Sequence, residues 1–183
     1  MNRQEAIESI RASVESENLI KHMLATEAIM RSLARRMSED EEEWGLAGLL
    51  HDIDVELTEG DMGSHSKLGA DLARDMGASE AIANAILCHN ETHGVLPETP
   101  MEKALFCSDP LTGLITAAVL VRPDKKIDSL EAKSVRKRFK EKSFAAGAKR
   151  EQIARCADID LELDEFISIG LEAMKGIAPQ LGL

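Results

Sequence analysis

Aromatic side chains are nearly absent from this 183-residue chain, which has no tyrosine, one tryptophan and four phenylalanines. Strand-rich cores draw heavily on aromatic and β-branched residues. The shortage turns the expectation toward helices, which the abundant Leu, Ala and Met residues and many Ile can build. Positive charge is also scarce: 22 Lys and Arg stand against 33 Asp and Glu, a formal charge of −11. Duplex nucleic acid is therefore not expected as the main partner, because phosphate backbones need a basic surface. A small phosphorylated ligand stays possible, since a cleft can differ in charge from the whole. The three cysteines, Cys88, Cys107 and Cys156, are odd in number and form no CxxC pair. That excludes a disulfide framework and a cysteine-zinc site and suits a reduced, cytoplasmic protein. The opening MNRQEAIESI has no apolar signal core, and no run is expected to span a membrane. With 44% hydrophobic and 30% charged residues, the chain has the makings of one soluble domain over residues 1–183.

Helical periodicity runs through nearly all of it. Residues 2–15 place Ala6, Ile7, Ile10 and Val14 on one face. From about Leu19 to Met37, an i, i+3, i+4 apolar pattern predicts a long amphipathic helix. Ser38 and Glu41 read as a capping box for a helix reaching about His51. Gly60 and Gly63 mark a loop, and the next helix is expected from Ser64 or His65 to Gly77. Another covers Ser79 to about His89. Thr99-Pro100-Met101-Glu102 then combines an N-cap, an N1 proline and an N3 glutamate, the strongest helix start in the chain. That helix is expected to run to Val121 with a kink at Pro110. Three more are expected near Ser129–Lys140, Lys149–Ala157 and Asp164–Lys175. The fold class is all-α, a helical bundle, with a possible boundary near Pro123.

Against this apolar background the stretch LAGLLHDID, Leu46 to Asp54, ends a core-like helix in a histidine and two aspartates. Buried charge is costly unless it is paired or binds metal. Only five histidines exist, and His22, His51, His65 and His89 all fall within or at the ends of predicted helices. Imidazole and carboxylate together suit iron, manganese, cobalt, nickel or zinc, and a bundle can aim them at one centre. A single histidine in such a place is more often a satisfied core or capping residue than a ligand, but four of the five in such positions point to a shared centre. Asp52 could bridge two ions, or with Asp54 simply end the helix. Asp109 interrupts the apolar run ALFCSDPLTGLITAAVLV just before Pro110, as a lone acid at a buried ligand site would.

The ordered set His22, His51-Asp52 and Asp109 resembles the HD-domain superfamily of metal-dependent phosphohydrolases, whose signature is H…HD…D on a helical core. GLLHDID resembles the HDIG-type motif, SHSKLGADLARDMG the helix after it, and ILCHNE a later histidine helix. The resemblance covers about residues 17–122 and leaves 123–183 as a helical extension without counterpart. It implies that His22, His51, Asp52 and Asp109 hold a first divalent ion. His65 and His89 match the binuclear branch, in which they hold a second ion with Asp52 as bridge. One or two ions are implied, iron or manganese ahead of magnesium, zinc, nickel or cobalt. They would activate a water for attack on a small phosphate ester or nucleotide. Asp54 stands where HDIG has glycine, so Asp52 and Asp54 are the candidate catalytic carboxylates, Asp54 alternatively a helix cap. Two other readings remain: a weakly catalytic metal-binding or nucleotide-sensing module, and a di-iron oxygenase-like enzyme.

HNETH, His89 to His93, is not the zincin HExxH, because Glu91 stands at the third position and the general base would be misplaced. The basic run KSVRKRFKEKSF, Lys133 to Phe144, reads as a phosphate-facing patch or lid, as a solvated helix face, or as an intramolecular partner for the acidic SEDEEEW. Lys67 is the candidate contact for a substrate phosphate.

Overall fold

Side-chain N-caps start half of the α-helices in the computed structural model, which describes residues 1–183. The helices are α1 (Arg3–Ser13), α2 (Glu17–Met37), α3 (Glu41–Leu50), α4 (Lys67–Asp75), α5 (Glu80–His89), α6 (Pro100–Leu120), α7 (Ala132–Lys140), α8 (Arg150–Ile153), α9 (Leu163–Lys175) and α10 (Ala178–Leu181). Short 3-10 turns follow α5 and α8, and there is no strand. The all-α expectation holds. The Thr99–Glu102 capping box that starts α6 forms as expected, with the Glu102 N–H on Thr99 Oγ1 at 3.3 Å and the Thr99 N–H on Glu102 Oε2 at 3.0 Å.

Three boundaries differ from expectation. Ser38 does not cap α3; it ends α2 in a left-handed conformation (φ 60°), and Asp40 caps α3 by accepting the Glu43 N–H at 2.9 Å. Ser66 is also left-handed (φ 67°), so α4 begins at Lys67 rather than at Ser64 or His65. The second of the three helices expected in the C-terminal region, Lys149–Ala157, is split: α8 has four residues and passes directly into the 3-10 turn Ala154–Ile159.

The two 21-residue helices, α2 and α6, pack on each other and on most of the rest. Helix α6 runs without interruption through Pro110. It is long and apolar enough to cross a membrane, which corrects the expectation that no run reaches that length. In this fold its apolar residues Leu105, Leu111, Leu114 and Ile115 are fully buried. One hydrophobic core extends from Ala6 to Leu181, and α9 gives it Phe166, Ile167, Leu171 and Met174. Helix α3 presses directly on α2 at Gly48. A Cβ there would lie 2.9 Å from the Glu27 backbone nitrogen and from the Thr26 carbonyl carbon. That close approach carries the C-terminal end of α3, and His51 with it, to the side of His22 on α2.

Candidate metal centre

Four imidazoles from four segments meet at one place. His22 comes from the second turn of α2, His51 from the C-cap of α3, His65 from the turn before α4, and His89 from the last residue of α5. Their rings follow one another edge to face, with centroids 5.0 Å apart for His22–His51, 5.1 Å for His51–His89 and 5.1 Å for His65–His89. Asp52 follows His51 directly, and Asp109 reaches in from α6.

Each ring is held through Nδ1. His51 donates to the Gly48 carbonyl at 2.8 Å, His89 to the Ile86 carbonyl at 2.5 Å, and His65 to Asp54 Oδ1 at 2.9 Å. His22 Nδ1 meets Thr112 Oγ1 at 2.8 Å; that hydroxyl gives its own proton to the Asp109 carbonyl at 2.7 Å and so accepts from the ring. Because carbonyl and carboxylate oxygens only accept, all four rings carry hydrogen on Nδ1. All four Nε2 lone pairs are then available to the centre, the arrangement that outer hydrogen bonds impose on metal-ligating histidines.

Asp52 divides the cluster in two. Its Oδ2 lies 3.4 Å from His22 Nε2 and 3.3 Å from His51 Nε2. Its Oδ1 lies 3.5 Å from His65 Nε2 and 3.4 Å from His89 Nε2. Asp109 Oδ1 joins the first side, 3.1 Å from His22 Nε2 and 3.8 Å from His51 Nε2. The donor atoms of His22, His51 and Asp109, and those of His51, Asp52 and His89, each lie within 4.8 Å of one another.

These spacings fit a divalent ion. Ligand nitrogens about 2.0–2.1 Å from one ion, at right to tetrahedral angles, stand about 3.0–3.4 Å apart. His22 Nε2 and His51 Nε2 face each other at 3.1 Å. Two lone pairs at that distance repel unless a cation or a proton lies between them. In the metal-free protein protons take that role. Burial opposes charge on His22, but hydrogen bonds to Asp109 and Asp52 outweigh it and raise its pKa to about 9. Burial likewise opposes charge on His51, yet the Asp52 carboxylate beside it raises it well above its usual value. Burial would raise Asp52 and Asp109, but the histidines hold both below the normal carboxylate range. The site is built to hold positive charge.

Asp54 lies outside this ring of donors and is fully buried. Its Oδ1 accepts from His65, and its Oδ2 accepts the Ser66 N–H at 2.7 Å and the Gly69 N–H at 2.8 Å. Gly69 permits the approach, because a Cβ there would meet the Asp54 carboxylate at 3.1 Å.

A cleft of about 250 Å³ opens over Asp52, His65, His89 and Asp109. Lys67, the expected phosphate contact, is exposed and does not line it. Lys149 and Gln152 do, and neither was singled out by the sequence pattern. His93 stands behind the site with Nε2 2.6 Å from the His65 carbonyl. The basic run on α7 does not line the cleft and is a solvated face, with Lys133, Lys137 and Lys140 exposed; it does not pair with the acidic SEDEEEW, since Arg136 pairs with Asp164 at 2.7 Å and Arg138 with Glu141 at 2.7 Å. The acids Glu41 and Glu42 pair instead with Arg35 and Arg31 of α2.

The HD-domain family model matches residues 19–144. Among curated proteins, the chain is 33% identical over 139 residues to the ribonuclease Y of Sulfurovum sp. (strain NBC37-1), covering 74% of this chain and 27% of that protein. It is 30% identical over 139 residues to the ribonuclease Y of Oleidesulfovibrio alaskensis, covering 74% and 26%. With the ribonuclease Y of Salinispora arenicola it shares 34% identity over 132 residues, covering 72% and 21%. The chain thus spans about a quarter of the length of the curated relatives it matches. Helical architecture, an inward-facing histidine and aspartate cluster and the match over residues 19–144 agree: the chain belongs to the HD-domain family, within the superfamily of metal-dependent phosphohydrolases.

Proposed function

We propose that this chain hydrolyses the phosphate ester of a small molecule or nucleotide at a two-ion centre bridged by Asp52. The observation that carries the reading is the split of the Asp52 carboxylate. One oxygen faces His22 and His51, and the other faces His65 and His89. His22, His51, Asp52 and Asp109 would hold one ion, and Asp52, His65 and His89 the other. Bound ions at such a site polarise a phosphoryl oxygen and bring a water toward ionisation near neutral pH. Iron and manganese suit the mixed imidazole and carboxylate set.

The protein's own groups do the positioning. Gly48, Ile86 and Thr112 fix three imidazoles, and Asp54 fixes the fourth. Asp54 is buried away from the cleft, with both oxygens occupied, so its part is to orient His65 and not to contact the reacting atoms. Asp52 and Asp109 line the cleft, so any ion they held would be reached from it.

A small substrate is favoured by the cleft. Its volume of about 250 Å³ lies just below the roughly 300–1,000 Å³ usual for ligand pockets. Lys149 is the only lysine or arginine that lines it, whereas single-stranded nucleic acid calls for an extended basic groove. Cleavage of RNA is the second reading, favoured by the ribonuclease name of the relatives. Manganese-loaded protein offered phosphomonoesters, mononucleotides and an oligoribonucleotide separates the two. Turnover of the small esters supports the proposal, turnover of the oligoribonucleotide alone supports the second reading, and no turnover of any refutes both.

A further inference from the structure

The HD-domain match stops at residue 144, yet part of the cleft wall comes from beyond it. Gly147, Lys149 and Gln152 line that wall. They are held there by Arg150, whose guanidinium donates to the carbonyls of Ala145 at 2.7 Å, Ala148 at 2.6 Å and Phe139 at 3.3 Å, and also to Phe144. A side chain that ties down so many carbonyls of one turn fixes where the following residues emerge.

Two donors from this wall converge on one carboxylate. Lys149 Nζ lies 2.5 Å from Glu91 Oε1, and Gln152 Nε2 lies 3.3 Å from Glu91 Oε2. Glu91 is two residues past His89 and also lines the cleft. An ammonium and an amide aimed at the two oxygens of one carboxylate, on the rim of a centre built for divalent ions, form an oxyanion site. Glu91 fills it from within the chain. The pair is half exposed, 48% for Lys149 and 53% for Glu91. Exposed pairs of this kind contribute little to stability, so an external dianion can displace the carboxylate. Phosphate also binds such donors more strongly, because charge-assisted bonds to it gain from its second charge.

We propose that Lys149 and Gln152 form the subsite for the substrate's terminal phosphate, with Glu91 as its resident competitor. The proposal rests on the hydrolase reading and assigns the C-terminal extension a place in substrate recognition. It selects a small molecule ending in a phosphate dianion.

The test uses the full chain loaded with manganese and inorganic phosphate as the probe, followed by calorimetry, with metal content measured on each sample. Lys149→Ala is expected to weaken phosphate about tenfold or more, the size of one lost charge-assisted contact. Lys149→Arg retains most of the affinity, and Glu91→Gln tightens it by removing the competing charge. Metal content stays at the wild-type level in all three. With a substrate that is turned over, Lys149→Ala raises KM more than it lowers kcat. Wild-type protein that does not bind phosphate, Lys149→Ala that binds it equally well, or Glu91→Gln that binds it more weakly overturns the proposal. Absence of metal or of turnover in the wild type refutes the hydrolase reading separately, since the phosphate affinities of the variants are compared without turnover.

Discussion

Replacing Asp54 by asparagine keeps the shape of a buried side chain and removes only its charge and one acceptor. Oδ2 accepts two backbone N–H groups, from Ser66 and Gly69, and Oδ1 accepts one ring N–H, from His65. The asparagine oxygen is expected to take the two-donor side, because turning its NH2 there would oppose two N–H groups with another. The NH2 then points at His65 Nδ1, which must become an acceptor, and the ring proton moves to Nε2. That removes the lone pair aimed at Asp52 and the second ion. Lost outer-shell partners of ligating histidines typically cost about 10–100-fold in metal affinity, which is about 1.4–2.8 kcal/mol. Asp54→Ala is less informative. It leaves three buried donors unpaired at about 1–3 kcal/mol each, against a total stability of about 5–15 kcal/mol for a typical domain. The assay is equilibrium dialysis against manganese with metal counted per chain. Asp54→Asn should keep one ion at wild-type affinity and hold the second about 10–100-fold more weakly. Two ions held at wild-type affinity would refute the tautomer argument.

Three further outcomes follow from the same geometry. Thr112→Val removes the acceptor of the His22 Nδ1 hydrogen and should weaken the first ion about tenfold or more in the same dialysis, leaving the second intact; equal weakening of both would contradict the division at Asp52. Gly48→Ala sets a methyl 2.9 Å from α2 backbone atoms and should destabilise by about 1–3 kcal/mol, as overpacked sites do, seen as a lower melting temperature; an unchanged melting curve would show that the two helices separate freely. In metal-free protein, His22 is raised from 6.5 to about 9, so its contribution to stability is full below pH 6.5 and lost as pH rises through 9. Melting temperature should fall across that window and recover on adding manganese, which binds the deprotonated ring; a metal-free melting temperature that stays flat or rises would contradict the assignment.

The candidate ligands stood out in sequence because each is a rare residue in an apolar setting. His22 lies on a helix whose neighbours follow core periodicity, His51-Asp52 ends another, and Asp109 breaks a long apolar run. Their order along the chain carried the family resemblance. Strong caps were legible too, as at Thr99 and Glu102. Ser38 misled because it and Asp40 both satisfy the local rule for an N-cap, and only the left-handed turn closing α2 decides between them. What holds the ligands was not legible. Asp54 is an outer partner through a hydrogen bond to a residue 11 positions away, and Thr112 acts on His22 across 90 residues. Lys149 reaches Glu91 across 58, and it carries no local pattern that separates it from other surface lysines. Lys67, two residues past His65 in sequence, is exposed outside the cleft at the start of α4, just after the left-handed Ser66. Residue type, setting and order along the chain marked the candidate donors, and tertiary packing chose their partners.

The central claim is that the Asp52 carboxylate joins two metal sites, one with each oxygen. A crystal structure of manganese-soaked protein, with anomalous maps recorded above and below the metal edge, tests it directly. The account predicts two anomalous peaks flanking Asp52, one within bonding distance of His22, His51 and Asp109, the other of His65 and His89. A single peak whose ligands exclude Asp52, or no peak between these residues at any manganese concentration that the crystal tolerates, would contradict it.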